Sequence, residues 1–250
     1  MSSSDVYKSK DWITEKAFIK KDDYKAMYQQ SISKPDEFWF EQGQRLDWFT
    51  PYTKVRDYSY EKDDLYIKWY EDGELNASYN CLDRHIEKNA DKIAVIWEGD
   101  DPSNSRKTTY QELLTEVCKF SNGLKSLGIK KGDRVTIYMP MIPEAAIAML
   151  SCARIGAVHS VVFGGFSPEA LAGRLEDCDS KYIITADEGV RGGKTIPLKE
   201  NVDKAISKIE DFKKCVVVKR TGNEISWNSS IDHWYDDLVY SASAICKPEN

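Results

Sequence analysis

The amino-acid sequence predicts an α/β protein: a layered parallel sheet with flanking helices, preceded by a helical, aromatic-rich N-terminal wrap. Two observations carry this prediction. From Val135 onward, short apolar runs alternate with helical segments of about 10 to 15 residues, a spacing that favours parallel strands joined by crossover helices. Before residue 50, aromatic and apolar residues recur at a helical period.

The N-terminal region is the least regular part of the sequence. Residues 1–20 are polar and mixed, and we expect a loose terminus there. A helical pattern begins at Asp22 and continues past Pro35, and residues 65–70 form a predicted strand that Gly73 ends with a turn. The aromatic residues could stack on nucleic-acid bases, but no basic groove accompanies them. Packing against the main domain is therefore the favoured interpretation.

The next region predicts a helix, a hairpin and a second helix. Asn80 is a candidate N-cap for a short helix. Residues 93–97 are predicted to pair with residues 108–109 across a polar turn. Thr109 and Glu112 have the spacing of a capping box, so a long helix begins there. The predicted inward-facing residues of that helix are Leu113, Val117, Phe120, Leu124 and Leu127.

From residue 135 onward, strands and helices are predicted to alternate. The predicted strands are 135–138, 158–163, 182–186 and 215–219. The predicted helices begin at Pro143, at Ser167 and near Val202, and a last helix covers residues 232–244. Ser167 is suited to be an N-cap, and Pro168 suits the first helical position because its missing N–H would have no partner there.

Residues 159–199 place a glycine turn directly after each of two predicted strands. Gly164-Gly165 is the first turn, and Gly192-Gly193 is the second, flanked by Arg191 and Lys194. Parallel strands bring their carboxyl ends to one edge of the sheet, where ligands of open α/β sheets bind. Bare backbone beside two cations suits an anionic, phosphate-bearing ligand.

Phe163 stands immediately before the first glycine turn and offers an apolar platform for a flat adenine ring. The residues alone therefore predict an anion or nucleotide site at the sheet edge, without specifying a reaction. A solvated surface turn is the alternative interpretation of residues 187–194.

Composition excludes several classes of function. The chain has 250 residues, 41% of them hydrophobic, and a net charge of −6 at pH 7, which argues against non-specific nucleic-acid binding. The six cysteines are spread out without a Cys-x-x-Cys pair, which favours reduced thiols and a cytoplasmic location. No signal peptide is expected, and proline and charged residues interrupt the most apolar segment, 135–166, so no membrane span is expected either.

Familiar catalytic motifs are absent from the sequence: it has no Walker A motif, Gly-x-Gly-x-x-Gly fingerprint, serine nucleophile elbow or His-x-x-x-His pair. Structural roles are favoured for His85, His159 and His233, and a core position is favoured for Cys152. The acidic turn 98–101 could hold a cation through its carboxylates, but a solvated turn is favoured.

Several longer segments resemble one enzyme family. They are FWFEQGQRLDW (38–48), YNCLDRH (79–85), IWEGDDPS (96–103), IYMPMIPEA (137–145), ARIGAVHSVVFGGFSPEALAGR (153–174), DEGVRGGK (187–194), IPLKENVD (196–203) and VVVKRTG (216–222). From about residue 22 to residue 250, the chain looks like the N-terminal part of the AMP-forming acetyl-CoA synthetases, which are ATP-dependent adenylate-forming enzymes.

This resemblance implies a two-step reaction and a two-domain architecture. ATP and acetate give acetyl-adenylate and pyrophosphate with the help of Mg²⁺, and the CoA thiolate then displaces AMP. A large N-terminal domain of α/β layers and a distorted barrel carries most of the site, and a small C-terminal domain rotates between the half-reactions.

The resemblance also implies a site for the nucleotide end of CoA. Carried over residue by residue, it consists of Arg191, Gly192, Gly193, Lys194, Phe163, Gly164, Gly165 and Ile196. The glycine backbone would admit the nucleotide, and the two cations would contact its phosphates. One charge-assisted contact contributes about 1.5–3 kcal/mol.

Other parts of the family pattern are not in this sequence. The Ser/Thr/Gly-rich loop that grips the ATP phosphates is missing, as are the acetate pocket, the magnesium ligands and the C-terminal catalytic lysine. We therefore expect roughly the first two-fifths of such a ligase, inactive alone, with no catalytic residue and no metal ligand in this chain. Residues 1–80 are expected to form the N-terminal extension, and residues 81–250 the first part of the AMP-binding domain.

The expected partners are small molecules (ATP, CoA and acetate) and the rest of the same polypeptide, with neither nucleic acid nor a membrane. Two alternatives stay open. The acid pocket lies beyond Asn250, so the enzyme could prefer propionate or acetoacetate. The chain could also be a non-catalytic binding module.

Overall fold

The computed structural model describes residues 7–250, which divide between Glu74 and Leu75 into two compact units. Residues 1–6 of the predicted loose terminus lie outside the described part of the chain. Each unit has its own secondary structure.

The first unit contains three helices and one antiparallel hairpin. The helices are α1 (Asp11–Lys16), α2 (Lys21–Ser33) and α3 (Pro35–Gly43), and the strands are β1 (Arg56–Glu61) and β2 (Asp64–Trp69). The predicted helical pattern from Asp22 and the predicted strand at 65–70 are thus confirmed. The expectation of a loose terminus is wrong for residues 11–16, which form the exposed helix α1. Strand β1 was not anticipated.

The aromatic residues of this unit pack on one another. The Tyr52 ring is buried; its centroid lies 4.9 Å from that of Trp48 and 4.6 Å from that of Tyr70, and its hydroxyl donates a hydrogen bond to the Phe40 carbonyl at 2.8 Å. These rings therefore pack inside the unit, whereas other aromatic side chains, such as Trp12, Phe18 and Tyr60, are exposed. Packing of this unit against the main domain stays a prediction.

The second unit alternates strands and helices. Its strands are β3 (Ile93–Glu98), β4 (Ser105–Thr109), β5 (Arg134–Met139), β6 (Val158–Phe163), β7 (Tyr182–Ala186), β8 (Gly189–Arg191), β9 (Lys194–Ile196), β10 (Lys214–Val218) and β11 (Asp232–Trp234). Its helices are α4 (Ala77–Cys81), α5 (Asp83–Asn89), α6 (Tyr110–Ser126), α7 (Pro143–Arg154), α8 (Pro168–Asp177), α9 (Leu198–Ile206) and α10 (Tyr235–Tyr240).

Five of these strands form the main sheet, in the order β11-β10-β7-β5-β6, and every pair in it is parallel. The chain passes from β5 to its neighbour β6 on one side, and from β7 to β10 on the other. The connections of the adjacent strands β5 and β7 therefore leave in opposite directions. Such a topological switch point creates a crevice at the carboxyl ends of the strands.

Helices flank this sheet in two groups: α6 contacts α7 and α10, whereas α8 contacts α9. The predicted fold class, a layered parallel sheet with flanking helices, is confirmed. The central strands are buried along almost their whole length, as expected for parallel strands covered on both faces.

Local capping signals in the sequence are realised in the structure. The Thr109 Oγ accepts a hydrogen bond from the Glu112 backbone N–H at 3.2 Å, and the Glu112 carboxylate accepts one from the Thr109 N–H at 2.8 Å. Ser167 caps α8 by accepting from the Ala170 N–H at 3.3 Å, and Pro168 is the first helical residue. The predicted inward face of α6 is buried, although Leu127 is only half-buried.

Two sequence predictions in this unit are wrong. The helix cap is Asn76 rather than Asn80: the Asn76 side chain accepts from the Tyr79 N–H at 3.1 Å and donates to the carbonyls of Ala153 and Glu249, at 2.9 and 2.8 Å. Residues 232–234 are strand rather than helix, because they pair with β10 at the sheet edge, and the last helix ends at Tyr240 rather than at residue 244. In both cases long-range partners outweigh the local pattern.

Ile147 on α7 tests the packing of the core, because its side chain is only 1% exposed. We expect Ile147→Ala to lower the free energy of unfolding by about 2–5 kcal/mol, since the truncation leaves a cavity. Denaturant unfolding measures this change. The matched control is Ile245→Ala, at a side chain that is 84% exposed, which should change stability by less than about 0.5 kcal/mol. Equal losses in the two variants would contradict the burial described here.

Candidate functional site

A cleft of about 390 Å³ opens at the carboxyl edge of the main sheet. Its walls are the segments 139–142, 163–165 and 189–191, which follow β5, β6 and β7, together with Arg220, which follows β10. The cleft therefore lies at the switch point between β5 and β7, the position expected for a ligand of an open α/β sheet.

Five of the eight sequence-predicted site residues line this cleft: Phe163, Gly164, Gly165, Arg191 and Ile196. Gly192, Gly193 and Lys194 are not among its lining residues. The sheet edge brings the two glycine turns to one place, as the sequence suggested, but only the first turn and the base of the second face the cleft.

The position of the second glycine turn follows from its secondary structure. Residues 187–194 are not a simple turn, because β8 and β9 form an antiparallel hairpin in which Arg191 pairs with Lys194. Gly192 and Gly193 form its two-residue tip with φ angles of +57° and +72°. A hairpin tip with two positive φ angles strongly favours glycine. These glycines therefore shape the turn, and Lys194 is exposed and does not line the cleft.

Phe163 and Arg191 form one wall of the cleft. The Arg191 guanidinium lies 5.9 Å from the centroid of the Phe163 ring, within the range of a cation–π contact. A Cβ atom at Gly165 would stand 2.6 Å from the same ring. Glycine at this position therefore lets the Phe163 ring lie over the backbone of the turn. The side chain of Phe163 remains 55% exposed, so its ring is open to a ligand.

Tyr138, a residue of β5, hydrogen-bonds to the turn that follows β6. It is fully buried, and its hydroxyl donates to the Phe166 carbonyl at 2.7 Å and accepts from the Asn201 side-chain amide at 3.3 Å. Burial raises the pKa of the Tyr138 hydroxyl, and the hydrogen bond from Asn201 opposes that shift only in part. The hydroxyl is therefore kept protonated as a donor to the turn.

Asp187, at the carboxyl end of β7, joins two edges of the cleft. Its side chain is buried, and its carboxylate accepts hydrogen bonds from the backbone N–H groups of Glu188 at 2.6 Å, Arg220 at 2.8 Å and Gly222 at 2.8 Å, with Thr221 at 3.2 Å. One carboxylate thus connects the loop after β10 to the end of β7 by hydrogen bonds. Asp187 is the first residue of the DEGVRGGK segment, and no pattern in the sequence indicated its role.

Trp97 and Arg220 form a second wall that the sequence analysis missed. The Arg220 guanidinium lies 5.2 Å from the Trp97 ring centroid, and the indole N–H of Trp97 donates to the Met141 carbonyl at 2.7 Å. Arg220 follows a predicted parallel strand, so the carboxyl-edge rule applied to Phe163 would have found it. Trp97 belongs to the β3–β4 hairpin, outside the main sheet, and gave no comparable signal.

The cleft is equipped for binding rather than for nucleophilic chemistry. Its ionisable lining residues are Arg191 and Arg220 on two walls, together with Glu98 at the end of β3 and Asp100 in the β3–β4 turn. Two arginines and an exposed aromatic ring suit an anionic ligand that contains a flat base.

The thiols of Cys152 and Cys215 do not line the cleft. Cys152 is fully buried, and burial raises its pKa to about 12; burial also raises the pKa of Cys215 well above its usual range. Reactive cysteines need a depressed pKa and some exposure, so these two are core residues. Burial lowers the pKa of His159 and of His233, and neither lines the cleft.

Residues 7–250 contain neither a metal-binding cluster nor a membrane-spanning helix. Within that range no three His, Cys, Asp or Glu side chains converge in a way that could hold a metal ion, the acidic turn included. Across the same residues, every helix is too short or too polar to cross a membrane.

Comparison with known proteins places this chain in a family. The AMP-binding enzyme family matches residues 82–249, and the family described as the acetyl-coenzyme A synthetase N-terminus matches residues 24–81. The chain therefore belongs to the AMP-binding enzyme family.

Individual relatives are more specific. The chain is 57% identical over 250 residues to an acetyl-coenzyme A synthetase of Aeromonas hydrophila, and 57% identical over 235 residues to one of Parvibaculum lavamentivorans. These matches cover 100% and 94% of this chain, but only 39% and 36% of the relatives. The chain thus spans about two-fifths of the length of the relatives that it matches.

A solved structure shares the fold. The acetoacetyl-CoA synthetase from Streptomyces lividans superposes with a TM-score of 0.77 at 22% sequence identity, covering 93% of this chain and 35% of that one. At this identity the likeness concerns the fold alone.

Asp187 tests the architecture of the cleft edge. We expect Asp187→Asn to lower the free energy of unfolding by about 1–3 kcal/mol, because the amide replaces a charged acceptor and leaves backbone N–H groups of residues 220–222 poorly paired. Chemical denaturation measures this loss. Asp91→Asn, at an exposed turn residue, is the matched control and should be close to neutral. If the two variants were equally stable, the Asp187 network would not anchor this loop.

Proposed function

We propose that this chain is the N-terminal part of an AMP-forming acetate–CoA ligase, and that its cleft binds the nucleotide end of CoA. The observation that carries the proposal is the cleft itself. It lies at the switch point of the sheet and is lined by a bare glycine turn, an exposed Phe163 ring and Arg191. The high identity to acetyl-coenzyme A synthetases supports the choice of ligase.

The proposed reaction has two steps. Acetate and ATP form acetyl-adenylate and pyrophosphate, and the thiolate of CoA then attacks the acyl carbon and releases AMP. Mg²⁺ would assist the first step; within residues 7–250 no group of His, Cys, Asp or Glu side chains converges on a metal site. We propose that the metal ligands and the catalytic residues lie in sequence outside this chain, which alone would be inactive.

The residues of the cleft have distinct proposed roles. Phe163, Gly164, Gly165 and Ile196 would line the adenine side, where the glycine backbone allows close approach. Arg191 would contact a phosphate group. Gly192 and Gly193 would shape the hairpin tip, and Lys194, outside the cleft lining, would contact the phosphates of a ligand that extends past the cleft.

Acetate is the proposed acid. The alternatives are propionate and acetoacetate, because the acid pocket would lie outside this chain. The names of the relatives at 57% identity favour acetate, whereas the likeness to an acetoacetyl-CoA synthetase at 22% identity concerns only the fold.

The wider setting is also a proposal. Residues 1–80 would form the N-terminal extension and residues 81–250 the first part of the AMP-binding domain, a division supported by the two family matches, which meet at residues 81 and 82. The proposed location is the cytoplasm, and the proposed partners are ATP, CoA, acetate and the remainder of the same polypeptide.

Arg191 gives the direct test of the CoA assignment. In the complete ligase, we expect Arg191→Ala to raise the KM for CoA about ten- to a hundredfold, because one charge-assisted phosphate contact is lost. Acetate-dependent pyrophosphate exchange, which does not need CoA, should change little. Steady-state kinetics and isotope exchange measure the two activities.

The control is Arg45→Ala, an exposed arginine of the first unit, which should leave both assays unchanged. An equal loss of both activities in Arg191→Ala would contradict the CoA assignment. A chain that binds CoA but belongs to no polypeptide with exchange activity would indicate the non-catalytic binding module instead.

A further inference from the structure

We propose that Arg220 is a second phosphate-binding arginine of the cleft and that Asp187 is the residue that positions it. The proposal rests on the proposed assignment of the cleft to CoA and adds a residue for which the family resemblance gave no role. It follows from the loop after β10, residues 219–222.

The position of Arg220 is fixed at both ends. Its backbone N–H donates to the buried Asp187 carboxylate at 2.8 Å, and its guanidinium rests 5.2 Å from the Trp97 ring centroid. Trp97 is itself held by the hydrogen bond from its indole N–H to the Met141 carbonyl. A long side chain that is anchored in this way loses less conformational entropy when it binds a ligand.

The donors of Arg220 are available. Arg106, Arg134 and Arg154 each pair with a carboxylate within 4 Å. Within residues 7–250, no carboxylate lies this close to Arg191 or Arg220, and neither guanidinium donates a hydrogen bond to the protein. An arginine presents five N–H donors in a fork that matches phosphate oxygens. Arg191 and Arg220 line the same cleft.

The distribution of charge indicates where the phosphates would lie. The acidic lining residues are Glu98, the last residue of β3, and Asp100, in the β3–β4 turn, whereas Arg191 is the last residue of β8 and Arg220 follows β10. Phosphate groups would be attracted to the two arginines. The nucleotide of CoA has two anionic parts, a 3′-phosphate and a 5′-diphosphate, and the cleft carries one arginine on each of two walls.

Asp187 would act on the ligand only through Arg220. Its carboxylate also holds the N–H groups of Thr221 and Gly222, so the whole loop takes one conformation. Without that charge the loop would no longer be held in one conformation. The Arg220 side chain would then no longer enter the cleft from a fixed position. Asp187 is therefore a positioning residue and would make no contact with CoA.

The test compares CoA with dephospho-CoA, which lacks the 3′-phosphate, in the complete ligase. We expect Arg220→Ala to raise the KM for CoA about tenfold or more, with kcat and acetate-dependent pyrophosphate exchange little changed. Arg220→Lys should recover part of the loss. The neighbouring Lys219→Ala is the matched control, because Lys219 lies over the Trp234 ring and does not line the cleft.

The two substrates locate the phosphate. A KM rise for CoA but not for dephospho-CoA places Arg220 at the 3′-phosphate, and a rise for both places it at the diphosphate. Either result supports the proposal. An unchanged KM for both substrates in Arg220→Ala overturns it. If Arg191→Ala still raised the KM for CoA, the assignment of the cleft to CoA would stand and only the role of Arg220 would be rejected. If neither variant raised the KM, the CoA assignment and the role of Arg220 would both be rejected.

A double-mutant cycle tests the positioning role. Asp187→Asn should also raise the KM for CoA, and adding Arg220→Ala should raise it little further, because both changes remove the same contact. Additive effects on KM would show that Asp187 acts independently of Arg220 and would overturn its positioning role. The Arg220 variants test the binding role even if Asp187→Asn folds poorly.

Discussion

The parallel pairing of β5, β6, β7 and β10 is the constraint on which the site depends. Parallel strands send all their carboxyl ends to one edge, so segments far apart in the sequence meet there. The connections then leave β5 and β7 in opposite directions, and a crevice opens between them. No single loop contains the cleft. Four strand ends that share an edge supply much of its lining, and the β3–β4 hairpin adds Trp97.

Hydrogen bonds from buried polar residues give that edge its shape. Asp187 joins the loop after β10 to the end of β7, and Tyr138 holds the turn after β6 through the Phe166 carbonyl. A buried carboxylate is costly unless its oxygens find donors, and backbone N–H groups supply them here. The same contacts that satisfy Asp187 also direct Arg220 towards the cleft. The hydrogen bonds that stabilise the buried Asp187 carboxylate and the proposed ligand binding by Arg220 therefore depend on the same network.

Much of the fold could be predicted from the sequence, because its signals are local: apolar strand runs, the Thr109 capping box and Pro168 at a helix start. The errors have the opposite origin. Asn76 caps α4 because its amide also reaches the carbonyls of Ala153 and Glu249, and residues 232–234 become a strand because β10 offers an edge. Phe163 and Arg191 were found through the carboxyl-edge rule, whereas Trp97 reaches the cleft from a separate hairpin that no local pattern connects to it.

The most direct measurement is a crystal structure of the complete ligase with CoA bound. The account predicts that the phosphorylated adenosine lies in the cleft, with its base against Phe163 and the 164–165 turn and its phosphate groups within hydrogen-bonding distance of Arg191 and Arg220. A nucleotide bound elsewhere, with this cleft empty in the same crystal, would contradict the assignment of the site.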